Sequence, residues 1–233
     1  MKLGRLAATR PHGLKDLAVY AQGKLPAPPD TVPAPVVDWR MDLNDTYGIC
    51  TIAGVDHLIA AWDEEVKEND PRPNDSELLS TYMELTGGAD TGLNEALVLQ
   101  QWQSKGLFGT KIAGYAPVHP QDIVALHQAI AFYGGAYLGI MCPESCKRQA
   151  VGNQPWTYVP NSPIEGGHCI IAVGYNQFSV KCVSWGKLVD VSYGFLAHYL
   201  EEAWAILGQE MVEAKGDALG IDLVTLQADL VSL

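Results

Sequence analysis

A thiol and an imidazole are the side chains of this sequence that read most directly as chemistry. Cys50 ends the stretch Asn44-Asp45-Thr46-Tyr47-Gly48-Ile49-Cys50 and stands just ahead of an amphipathic helix. Far downstream, His168 opens the apolar run His168-Cys169-Ile170-Ile171-Ala172-Val173-Gly174-Tyr175. A helix N-terminus presents free N–H groups and the positive end of the helix dipole, and both favour a thiolate over a thiol. A histidine within reach takes the thiol proton and later returns it to a leaving group. Together the two are the halves of a nucleophile. Each alone has a plainer reading, because free cysteine is among the most buried residue types, and a histidine heading an apolar strand can be a satisfied core residue.

The elements that must position them follow from periodicity. After Cys50, the apolar residues Ile52, Val55, Leu58, Ile59 and Trp62 fit one helical face, with Asp63, Glu64 and Glu65 on the other. His57 falls roughly opposite the apolar stripe, which predicts a solvent-facing side chain. A second helix is expected over about 75–86, capped by Asp75 or Ser76 and stopped at Gly87-Gly88. A third covers about 92–104, and a fourth runs from Pro120 to Gly134-Gly135. The period then changes to two. Strands are expected over 136–141, 168–175 and 178–185, the last two joined at Asn176-Gln177. A helical turn near 193–202 and a strand over 203–207 close the pattern. Helices first and a mostly antiparallel sheet afterwards is an α+β order, with a helical lobe and long central helix packed on the sheet. His119, His127 and His198 show no partner in the sequence and read as surface or boundary residues.

Three segments are expected. Residues 1–34 form an arm in which Pro26, Pro28, Pro29 and Pro33 forbid a continuous helix, apart from a short one within 14–22. Residues 35–208 form the domain, and residues 209–233 a mostly acidic tail with an apolar end.

Bulk properties narrow the function classes. The chain has 233 residues, 48% hydrophobic and 18% charged, which suits one globular domain with appendages. A net charge of −12 without a Lys/Arg cluster argues against a nucleic-acid partner. No apolar run approaches the roughly 18 residues of a membrane span. The basic start Met1-Lys2-Leu3-Gly4-Arg5 lacks the apolar core of a secretory signal, so a cytoplasmic or virion-associated location is expected. Cys50, Cys142, Cys146, Cys169 and Cys182 are odd in number and lack framework spacing, which reads as free thiols. Cys142 and Cys146 could be half of a zinc site, but no second ligand pair is evident, and neither metal nor cofactor is expected.

The motifs around Cys50 and His168 resemble those of the papain-like cysteine peptidases. Val37-Asp38-Trp39-Arg40 is similar to that family's entry to the mature domain. Gly48 and Cys50 resemble its glycine and nucleophile, with Asn44 where the family has a glutamine. Asp90-Thr91-Gly92-Leu93 resembles its glycine-containing turn, and Gly167-His168 with the following apolar residues its histidine strand. Ser184-Trp185-Gly186 resembles the motif on the next strand. The order is kept over about 36–207. The separation of 118 residues (168 − 50) is shorter than the roughly 130–150 of papain and the cathepsins, as in a compact, divergent phage- or bacterial-type member. The resemblance implies that Cys50 attacks a peptide or related acyl bond and His168 serves as base and then acid. It further implies that Asn44, with the N–H of Cys50, holds the oxyanion; the alternative for Asn44-Asp45 is a simple turn. The family's histidine-orienting asparagine maps onto Val183, which cannot hydrogen-bond, leaving Asp190, Ser184 or a main-chain carbonyl for that task.

Two functions are therefore expected. One is a thiol hydrolase with a Cys–His dyad and a peptide or protein substrate. The other is a catalytically impaired structural or binding module, such as a phage virion subunit or capsid decoration. Such a module would form a homo-oligomer or join a protein particle through residues 1–34 and 209–233. An arm lying across the cleft would instead resemble the family's inhibitory pro-segments.

Overall fold

The computed structural model describes residues 1–66, 72–216 and 220–233. Its platform is a six-stranded sheet in the order β1-β6-β2-β3-β4-β5, with every neighbouring pair antiparallel. The strands are β1 (Ile112–Val118), β2 (Ala136–Pro143), β3 (Ile164–Tyr175), β4 (Ser179–Ser184), β5 (Lys187–Ser192) and β6 (Leu200–Gly208). From His168 to Tyr175 every residue of β3 is buried, so both faces of the sheet are covered there. This explains why the run reads as continuously apolar rather than alternating.

Against β3 lies the long helix α2 (Cys50–Val66), and Gly54 sets how close it comes. A Cβ at Gly54 would stand 2.8 Å from the Tyr137 ring and 2.9 Å from Ile171. The Tyr137 hydroxyl donates to the carbonyl of Thr51, pinning the first helical turn to β2. The helical lobe is completed by α3 (Asp75–Thr86) and α4 (Glu95–Ser104), while α5 (Ile123–Tyr133) packs on β6 and β3. The cap of α3 is Asn74, one residue earlier than expected. Its side chain accepts from the N–H groups of Ser76 and Glu77, and Glu77 returns the bond, forming a full capping box.

His57 is a correction to the sequence reading. It is buried, with Nε2 3.1 Å from Asp42 and 2.8 Å from the carbonyl of Arg40. The loop before α2 folds back over that flank, and Arg40 and Arg72 both reach the buried Asp56 on the same side. The helix thus carries a polar seam under a loop where periodicity alone suggests solvent.

Five further elements escaped the pattern. β1 contains Gly114 and Pro117, and Pro117 is tolerated because β1 is a sheet edge. β5 and α6 (Glu144–Val151) are short, and α6 is mostly polar. In the tail, α8 (Gln209–Lys215) follows β6 directly, and α9 (Leu223–Val231) buries Leu226 and Leu230 over Gly114 of β1. Residues 217–219 of the tail lie outside the described residues. The arm's short helix, α1 (Leu17–Ala21), is tied to α9 by Tyr20 and Lys15, which donate to Asp229 at 2.8 and 2.9 Å. Both ends of the chain therefore dock on the domain itself. Among the described residues, no helix is long and apolar enough to cross a membrane.

Candidate active site

The start of α2 and the middle of β3 meet at Cys50. Ile49 supplies the carbonyl that opens the helix, accepting from the N–H groups of Ile52 and Ala53. Cys50 follows as the first helical residue, and its Sγ accepts from the N–H of Cys169 at 3.4 Å. Cys169 follows His168 in β3, so the thiol lies against the strand that carries the imidazole. Both side chains are buried.

His168 is held from two sides. Its Nε2 shares a hydrogen bond with Ser184 Oγ at 2.8 Å, and its ring stacks on Trp185 with centroids 4.2 Å apart. Nδ1 has no hydrogen-bond partner among the described residues. Of the three orienting groups left open by the sequence, Ser184 is the one at hydrogen-bond distance. Val183 cannot substitute, because its side chain has no hydrogen-bonding atom and, as the strand neighbour of Ser184, faces the opposite side. Trp185 and Gly186 form the two-residue link between β4 and β5, with φ of 46° and 70°. Positive φ at both positions is the geometry of a hairpin turn whose twist matches the strands. That turn presents the indole face to His168.

Asn44 is buried in the loop before α2. Its side-chain amide donates to the carbonyl of Tyr47 at 3.4 Å, and its main-chain carbonyl accepts from the N–H of Lys2 at 2.9 Å.

That last bond belongs to the arm, which takes the course across the cleft that the sequence left as one alternative. Residues 2–6 of the arm run through the cleft between the helical lobe and the sheet. The N–H of Leu93 donates to the Gly4 carbonyl at 2.9 Å, and the N–H of Leu6 donates to the Leu93 carbonyl at 3.0 Å. On the opposite wall the N–H of Arg5 donates to Gly167 at 3.2 Å, and Trp185 Nε1 donates to the Lys2 carbonyl at 3.1 Å. Glycines make the passage possible. A Cβ on Gly4 would lie 1.8 Å from the carbonyl oxygen of Gly48, and one on Gly92 (φ +80°) would lie 2.2 Å from the carbonyl oxygen of Gly4.

Electrostatics follow from this closure. Burial pushes the Cys50 thiol up to about 11, outweighing the N–H groups of Cys169 and Gly4, which favour the thiolate. The helix start, expected to lower this thiol's pKa, is overruled by desolvation. Burial first, and the nearby Arg5 cation second, push His168 down to about 3. Under the arm, the pair rests as neutral thiol and neutral imidazole.

Neither a family profile nor a characterised protein sequence matches the chain. Solved structures do. Xylellain, a cysteine protease from Xylella fastidiosa, superimposes with a TM-score of 0.65 at 16% identity, covering 88% of this chain and 95% of its own. Procathepsin B S9 from Trypanosoma congolense gives 0.62 at 9% identity, with 89% and 86% covered. The cysteine protease and lectin-like domains of Cwp84 from Clostridium difficile give 0.59 at 9% identity, with 88% and 55% covered. The chain has the papain-like cysteine peptidase fold.

Proposed function

We propose that the chain is a papain-like thiol hydrolase acting on peptide or related acyl bonds, held latent by its own residues 2–6. One observation carries this reading: the Cys50 sulfur sits against the residue following His168, while the imidazole keeps Nδ1 free and is fixed through Nε2 and its ring. That leaves a nitrogen to receive the thiol proton from a ring that cannot turn away.

In this mechanism, departure of residues 2–6 readmits water and reverses both desolvation shifts. The proton moves from Sγ to Nδ1, and the thiolate attacks the substrate carbonyl. The N–H of Cys50 and the second amide hydrogen of Asn44, the first being given to Tyr47, hold the developing oxyanion. His168 then returns its proton to the leaving amine, and water, activated by the same imidazole, hydrolyses the thioester. A serine hydroxyl suffices as orienting partner because a thiol needs less activation than a serine nucleophile.

The competing reading is a non-catalytic module, favoured by the uncharged resting pair under a closed cleft. The test is hydrolysis of a mixed peptide pool by the full chain carrying Gly4→Ala, with and without Cys50→Ala. Turnover that disappears with Cys50→Ala is expected. Absence of Cys50-dependent turnover once residues 2–6 are out of the cleft overturns the hydrolase reading in favour of the module.

A further inference from the structure

The arm does more than cross the cleft: it inserts a side chain into a pocket built for a cation. The side chain of Arg5 is 0% exposed. Its Nη1 donates to Glu202 at 2.7 Å, and its Nη2 forms an ion pair with Glu201 and approaches the carbonyl of Ile140 at 3.4 Å. Two consecutive residues of a regular strand point to opposite faces, so Glu201 and Glu202 should not share one partner. They do so because β6 is irregular at this point. Gly139 pairs with Glu202 while Ile140 pairs with Leu200, leaving Glu201 as the extra residue of a β-bulge. Such a bulge re-aims a side chain. Here it turns a second carboxylate toward the same guanidinium.

Space for the stem is equally specific. A Cβ on Gly139 would stand 2.8 Å from Arg5 Cδ, and one on Gly167 would stand 2.3 Å from the Arg5 carbonyl oxygen. A third acid, Glu95 at the start of α4, is fully buried beside this group, and neither of its oxygens meets hydrogen-bond geometry with a described residue. Burial first, and Glu202 second, raise its pKa well above the usual carboxylate range, with Arg5 opposing. Three acids around one cation, two of them buried, make a pocket that is costly when empty and suited to a planar fork with several donors.

We propose that this pocket is the side-chain specificity site of the cleft and selects an arginine in the substrate. Arg5 is its resident occupant. The proposal rests on the reading of the cleft as a peptide-hydrolysing site. An incoming peptide would use the backbone edges that Arg5 now uses, Leu93 on one wall and Gly167 on the other. Lysine, a single point charge, could not engage Glu201 and Glu202 through separate nitrogens as a guanidinium does.

The test is binding, so that it does not depend on turnover. The full chain carrying Arg5→Ala is titrated calorimetrically with acetyl-Leu-Gly-Arg-Leu-amide, which reproduces residues 3–6, and with the same peptide bearing lysine or norleucine in place of arginine. The arginine peptide is expected to bind at least about 30-fold more tightly than the norleucine peptide, from loss of a buried charge pair. It is also expected to bind more tightly than the lysine peptide, and Glu202→Gln added to Arg5→Ala should shrink the gap. The same series on the Gly4→Ala chain, which empties the pocket sterically, supplies an independent measurement should Arg5→Ala not fold. Equal affinities, or no binding of any peptide at millimolar concentration, would mean that Arg5 is only an anchor of the arm and overturn the proposal. Arginine-selective binding by a chain without Cys50-dependent turnover would instead sink the hydrolase reading and leave the pocket standing.

Discussion

Gly4→Ala should convert an inert sulfur into a reactive one. Gly4 lies against Gly48 so closely that an added methyl would sit 1.8 Å from a carbonyl oxygen, and relief requires a movement of more than about 1 Å. The oxygen belongs to the backbone just ahead of α2 and cannot give way so far without dragging the helix start. The segment itself is the weaker party. Its main chain takes part in five hydrogen bonds, from Lys2 to Asn44, Leu93 to Gly4, Arg5 to Gly167, Leu6 to Leu93 and Trp185 to Lys2, and its Arg5 side chain adds the pairs with Glu201 and Glu202. At about 1 kcal/mol each the five main-chain bonds contribute about 5 kcal/mol. Ordering five residues costs at least that much, so the surplus comes from the Arg5 ion pairs, and a clash of this depth against backbone should still drive residues 2–6 from the cleft. With the thiol at about 11, the thiolate fraction at about pH 7.5 is on the order of 3 × 10⁻⁴. An ordinary exposed thiol is about one-tenth ionised at that pH, so iodoacetamide should label Cys50 about 300-fold faster in the variant, before counting better access. Tryptic cleavage after Arg5 reports that the segment has come free, and peptide mapping identifies the labelled cysteine. Labelling of Cys50 that stays at the rate of the other four buried thiols, in a chain already cut after Arg5, would refute the link between closure and the raised pKa.

Two further outcomes follow from the surroundings of His168. Ser184→Ala strips Nε2 of its buried partner and should destabilise the fold by about 1–3 kcal/mol in urea unfolding, with Ser184→Thr largely restoring it; equal stability of all three chains would remove Ser184 as the orienting group. The imidazole, held near 3 when folded against 6.5 as its ordinary value, binds a proton more readily unfolded than folded between those limits. Its contribution to stability is therefore intact above about pH 6.5 and falls as pH drops toward 3, by up to about 5 kcal/mol. His168→Gln should flatten that part of the stability–pH curve, and an unchanged slope would show that other groups carry it.

Much of this arrangement is legible in the residues because the signals are local. A glycine stop after Thr86, the Asn176-Gln177 link and the apolar run after His168 each declare an element within a few residues, and α3 ends where its pattern ends. The order of Cys50, His168 and Trp185 along the chain likewise anticipates which elements converge. What the sequence hides depends on distant contacts. His57 is exposed by periodicity and buried by a loop from earlier in the chain. β1 and β5 are strands through pairing with neighbours rather than through their own alternation. Residues 2–6 carry no proline, no repeat and no periodicity, and the opposing glycines 48, 92, 139 and 167 make room for them. The acid pocket is hidden for a related reason, since a bulge places Glu201 and Glu202 together where strand alternation would separate them.

The indole of Trp185 touches both moving parts at once. One face lies on the imidazole and its ring nitrogen is bonded to the main chain of Lys2, so the same fluorophore borders the proton acceptor and the plug. Withdrawal of the plug would hydrate the ring nitrogen and red-shift the emission, while a charged imidazole against the ring would quench it. The molecule thus contains an intrinsic optical reporter in which opening and charging register as separate changes, one in wavelength and one in intensity.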